Sequence, residues 1–61
     1  MNTKAAVAHI LKERNITAYR FAQLIGASPQ SVSQWQRNTR MSQAYADVVK
    51  TKFNIIVEDA V

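Results

Sequence analysis

Gly26 and Pro29 are the only glycine and the only proline in the 61-residue chain, and they lie three positions apart. A β-sandwich or barrel needs turn residues at intervals of about 8–12 positions, and this sequence does not supply them. Helices joined by short loops are what such a chain can form. Its length allows one domain, near the lower limit at which a core can be buried. With no cysteine there is no disulfide staple or zinc finger, and a lone His9 cannot build a metal site. Stability must come from packing among the 48% of residues that are apolar, helped by a partner subunit or a ligand.

Apolar spacing divides the chain into four helices. Thr3 is placed to cap a first helix running to about Arg14, with Val7, Ile10 and Leu11 as its apolar stripe. Lys12 and Arg14 complement the dipole of its last turn, and Asn15 suits a left-handed terminator. Thr17 caps the second helix, AYRFAQLI, which turns Phe21, Ala22 and Ile25 to one side and stops at Gly26. Ser28 caps the third, with Pro29 at its first position, where the missing N–H costs nothing. Val32 and Trp35 face inward along a helix that ends near Arg37 or Asn38. Ser42 caps the fourth, to about Lys52, burying Tyr45, Val48 and Val49, with Met41 placed to staple its start. In the tail FNIIVEDAV, Ile55, Ile56 and Val57 favour a strand, but no partner strand exists. Phe53 packing on the core, Asn54 ending the helix and a short C-terminal helical turn are the expectation.

Charge is distributed unevenly. Net charge is +4, yet residues 1–52 carry eight basic and two acidic side chains, and residues 53–61 carry only acids, Glu58 and Asp59. Between Glu13 and Asp47 there is no acid, while Arg14, Arg20, Arg37 and Arg40 fall there. A basic body with an acid-free middle suits a polyanionic partner, although a basic domain without one has the same composition. No apolar run reaches the ~20 residues of a membrane span, and the N-terminus lacks a signal-peptide core. A cytoplasmic site of action is expected.

Positions 18–37 hold the most informative pattern. Ala22 is small where two helices would cross, Gly26 allows a positive φ at the bend, and Val32 and Trp35 anchor the second helix, joined by Phe21 from the first. Two short helices crossing steeply need those features. The stretch FAQLIGASPQSVSQW closely resembles the helix-turn-helix of the lambda-type phage repressor and Cro family. LKERNITAYRFAQLIG is similar to that family's first-to-second helix junction, and VVKTKFNIIVEDAV to its fourth helix, Asn-containing break and short fifth helix. The resemblance covers nearly the whole chain. It implies an all-α, four- to five-helix lambda-repressor-like domain over residues 1–61 that binds double-stranded DNA operators as a dimer and represses transcription in the cytoplasm of a bacterial host. No cofactor, metal or small-molecule substrate is implied.

With Val32 and Trp35 inward, helical periodicity turns Gln30, Ser33, Gln34 and Arg37 outward. Glutamine can bond adenine N6 and N7 bidentately and arginine guanine O6 and N7, so the resemblance assigns base reading to Gln30 and Gln34, with Ser33 and Arg37 beside them. Phosphate contacts are expected from helix starts and from the loop after the third helix. These are Thr17, Tyr19 and Arg20, then Ser28 and Ser31, then Asn38, Thr39 and Arg40. Thr17 and Ser28 would cap helices in any protein, and the arginines serve equally as solvated charges. Two departures from the family stand out. Pro29 replaces a polar reader, which shifts weight to Gln30. Ala18 replaces a glutamine that braces the next helix, leaving Tyr19 or Thr17 to substitute.

Trp35 occupies a slot that predicts burial rather than base stacking, Tyr45 is expected at the core edge and His9 on the surface. No nucleophile–base pair, carboxylate pair or Gly-rich phosphate loop is visible, so no enzyme is expected. Two alternatives keep the fold: a protein-binding module such as an antitoxin or adaptor, or the DNA-binding portion of a longer repressor. The apolar tail residues Ile55, Ile56, Val57 and Val61 form either a homodimer surface, whose association without DNA need not be strong, or a lid on the monomer core.

Overall fold

A computed structural model describes all 61 residues as four helices and no strands: α1 (Thr3–Arg14), α2 (Ala18–Ile25), α3 (Pro29–Arg37) and α4 (Gln43–Phe53). None is long and apolar enough to cross a membrane. The helix ends follow local chemistry. Asn15, Gly26 and Asn54 all sit in the left-handed region, at φ 52°, 75° and 58°. At the first two, the next amide closes back five residues, Ile16 N–H to Leu11 O at 3.1 Å and Ala27 N–H to Ala22 O at 2.9 Å. Orphan carbonyls of α1 and α2 are satisfied in this way. Thr17 and Ser28 cap α2 and α3, their hydroxyls accepting from the amides of Arg20 and Ser31 at 3.1 Å each.

Two expected caps are different. The cap of α1 is Asn2, whose side chain accepts from Ala5 N–H at 2.8 Å. Thr3 is the first helical residue, 1% exposed, with a tertiary role for its hydroxyl. That hydroxyl accepts from Met41 N–H at 2.9 Å and donates to Asp59 Oδ1 at 2.7 Å. Ser42 has the extended backbone of a cap but makes no capping bond. The carbonyl of Val61 takes the Gln43 N–H instead, at 2.7 Å.

The core collects one face from each helix: Val7 and Ile10 of α1, Phe21, Ala22 and Ile25 of α2, Val32 and Trp35 of α3, Ala46 and Val49 of α4. Met41 and Val57 complete it from outside the helices. Helix α3 packs against both α1 and α2, and α2 also meets α4. Along α4 the fully buried line is Ala46 and Val49, whereas Val48, expected inside, and Tyr45 are only half-buried. Tyr45 lies at the core edge, 5.3 Å from the Trp35 ring in an edge-on contact. Phe53 packs on Phe21 with centroids 5.6 Å apart, and the Arg14 guanidinium lies 5.2 Å over the Phe53 ring.

The expected helical turn at the C-terminus, and with it a fifth helix, is absent: residues 54–61 are irregular apart from a turn at 58–59. One helical turn would bring about one internal hydrogen bond for the residues it fixes. The tail instead makes five long-range ones. Glu58 N–H donates to Met1 O, Val61 N–H to Met41 O and Gln43 N–H to Val61 O, while the Thr3 amide and hydroxyl both donate to Asp59. The amino group of Met1 adds bonds to Ile56 O and to the Glu58 carboxylate. Val57 enters the core at 7% exposure and Ile55 packs on it, but Ile56 and Val61 remain over 60% exposed. The tail is thus a lid through two of its four apolar residues and free surface through the others.

Thr3→Val keeps the shape of the side chain but leaves the buried Met41 amide without an acceptor. It is expected to cost about 1–3 kcal/mol in urea unfolding. The Thr3 hydroxyl bond holds the Asp59 carboxyl below its ordinary value of 3.8 against burial, the next largest effect, with weaker help from the Thr3 amide and the Arg40 charge. Its stabilising contribution is therefore complete above about pH 4 and lost as pH falls through the lower folded-state value. Stability measured from pH 7 to pH 2 should fall less steeply in Asp59→Asn than in the unaltered chain.

Candidate nucleic-acid interface

Three residues, Gly26, Ala27 and Ser28, connect α2 to α3. Ala22, wholly buried, lets the helices approach, and Gly26 supplies the left-handed bend. Ser28 and Pro29 then start α3 at once, with the Ser28 hydroxyl also donating to the Ser31 hydroxyl at 3.0 Å. Val32 at 0% and Trp35 at 4% exposure fix the rotation of α3 about its axis. At 3.6 residues per turn, Gln30 and Arg37 then fall within about 10° of the direction opposite the mean of these two anchors. Gln34 and Ser33 flank them at about 50° on either side.

The expected base-reading residues therefore do share one face. Gln30, Gln34 and Arg37 are exposed and Ser33 is half-buried. None of the four uses its side chain in a hydrogen bond within the chain. A glutamine already bonded to its neighbours would have to break that bond before contacting anything else; these two do not.

The expected phosphate-contacting residues fall into three groups. At the start of α2, Thr17 is engaged as a cap, Tyr19 projects at 61% exposure, and Arg20 is exposed with its guanidinium donating to Gln23 at 3.4 Å. Ser28 and Ser31, at the start of α3, are bonded to each other, Ser28 exposed and Ser31 half-buried. Asn38, Thr39 and Arg40, all exposed, follow α3. With Ala18 half-buried, Tyr19 is the exposed polar side chain beside the position where the sequence lacks a bracing glutamine.

Residues far away in sequence join the third group. Asn38, Thr39 and Arg40 form one wall of an open cleft of about 320 Å³ whose other walls are Trp35, the first turn of α1 at Asn2–Lys4, and Asp59. Lys4 thereby reaches the same opening as Arg40. Sequence reasoning did not place Lys4 or Asp59 there. The signal is a tertiary one, the bonding of Thr3 to Asp59 and Met41, and leaves no trace in local spacing.

Because Gly26 sets the direction of α3, its conformation bears on the interface as well as the fold. A methyl group at this position would meet no atom within 4 Å, so the cost of Gly26→Ala is torsional alone. About 1–2 kcal/mol is expected, read as a lower urea midpoint with an unchanged slope. Comparisons with known protein families, with curated proteins and with solved structures found no match to this chain, which leaves the chemistry of its own residues to carry the functional reading.

Proposed function

We infer that this chain is a sequence-specific double-stranded DNA-binding protein, a transcriptional repressor of the lambda-type Cro family that acts in a bacterial cytoplasm. Helices α2 and α3 are read as a helix-turn-helix, with α3 in the major groove of an operator half-site and α2 across the backbone. The observation that carries this reading is the outer face of α3. Four polar side chains, Gln30, Ser33, Gln34 and Arg37, lie opposite the Val32–Trp35 anchor and spend no hydrogen bond within the chain. Uncharged readers suit base edges, because they gain little from phosphate and so do not blur discrimination.

Cations stand around this face. Arg20 lies at one helix start and Arg40 in the loop beyond α3, where backbone contacts would set the register on the duplex. A single module of this size buries little DNA surface, and two copies on half-sites about one helical turn apart would supply the rest. Ile56 and Val61, exposed at 61% and 62%, offer apolar surface for such a pairing.

Selection of bound duplexes from random DNA tests the reading, and a two-fold symmetric site is expected. On that site Gln34→Ala should cost about 1–3 kcal/mol and relax preference at one base pair per half-site. Unchanged affinity and specificity would instead favour a protein-binding module, for which the α3 face is dispensable.

A further inference from the structure

The cleft between the first turn of α1 and the 38–40 loop is bordered by Trp35, whose indole donor has no partner in the chain. Trp35 is 4% exposed, and its indole N–H donates to no group in the chain. No fully buried side-chain polar atom lacks a partner, so this N–H reaches solvent, and the opening that Trp35 borders is the cleft. A second donor lies on the α1 side. In the first turn of α1, the Thr3 amide goes to Asp59 and the Ala5 amide to Asn2, but the Lys4 amide has no acceptor. The positive end of the helix dipole lies at this place.

Charge in the cleft runs the same way. Lys4 and Arg40 border it against a single carboxylate, Asp59. One oxygen of that carboxylate, Oδ1, is already turned to two donors of Thr3 at 2.7 Å. Two cations, an unpartnered indole N–H and a free helix-start amide form a concave set of donors with a net positive charge. A compact tetrahedral oxyanion satisfies several of them at once.

We propose that this cleft seats one phosphate group, held by the Trp35 indole N–H, the Lys4 amide and the Lys4 and Arg40 side chains. Its source is a phosphodiester of the nucleic-acid backbone or free inorganic phosphate. The first source rests on the reading of α3 as a DNA-reading helix, and the second does not. Trp35 then has two functions, its ring anchoring α3 to the core and its N–H holding a phosphate beside the loop that follows α3.

Trp35 is the only tryptophan, so a ¹⁵N-labelled chain gives one indole resonance, assigned without ambiguity. Two titrations of the full chain use it, one with a random-sequence duplex of about two helical turns at low salt, the other with inorganic phosphate against chloride at equal ionic strength. The indole resonance should shift with the duplex, along with the amides of α3. Lys4→Gln and Arg40→Gln should each lower the salt slope of duplex binding by about one. Trp35→Phe should weaken duplex binding several-fold, and Lys4→Gln, on an exposed side chain, keeps the test intact if that core variant unfolds. Movement of the α3 amides with a stationary indole would overturn the cleft proposal and leave the DNA reading standing. Movement of the indole with phosphate alone, and of nothing with duplex, would overturn the DNA reading and assign the cleft to free phosphate. No response to either would overturn both.

Discussion

The hydroxyl of Thr3 connects three parts of the chain that share no local sequence. It is the only polar side chain among the buried residues, and it both accepts from Met41 N–H and donates to Asp59. A buried hydroxyl is costly unless bonded and informative when bonded, because few arrangements satisfy it. Satisfying this one fixes the start of α1, the loop that leads into α4 and the tail in a single geometry. Met41 and Val57, the two core residues outside the helices, are brought in by the same connection. In a chain with one small core, those two side chains are two of only twelve that are buried and apolar.

Much of the helical framework was legible because its signals are local. Asn15, Gly26 and Asn54 end helices for the same reason, a tolerated positive φ, and Thr17 and Ser28 begin them by bonding amides three residues ahead. The inward pair Val32 and Trp35 was equally readable, and with it the outward direction of Gln30, Ser33, Gln34 and Arg37. What could not be read was settled at a distance. Asn2 and Thr3 are adjacent and either can cap a helix, and the choice is made by Asp59, 56 residues away, which claims Thr3. Ser42 keeps the backbone of a cap without a side-chain bond, and the first amide of its helix, Gln43 N–H, goes to the Val61 carbonyl. The tail stays extended for the same reason, since its bonding partners lie at the other end of the sequence.

On the proposed DNA-binding reading, the α3 surface separates two kinds of recognition along a short helix. Its outer face holds amide and hydroxyl groups with a single guanidinium at the C-terminal end, and further exposed cations lie beyond it, at Arg20, Arg40 and Lys4. Electrostatic attraction is long in range and indifferent to sequence, whereas a bidentate amide contact is short and selective. In a DNA-binding protein, keeping the two on different elements would let affinity change without altering which bases are preferred. Pro29 belongs to this division too. It gives up a side chain that could reach a base, and in exchange begins the helix with a fixed φ where no N–H is needed.

The bonding of the tail to the first turn also governs how the molecule opens. Contacts such as Thr3 to Asp59 and Glu58 to Met1 close nearly the full length of the chain into a loop, so they are made late in folding, after the local helices have formed. Once made, they are shared: releasing the tail frees Met41 and Gln43, and with them the backbone on either side of Arg40. The amides of Gln43, Glu58 and Val61 therefore belong to one unit of hydrogen exchange, although they lie in separate stretches of sequence. The two ends of the chain and the 38–42 loop loosen as one body or not at all.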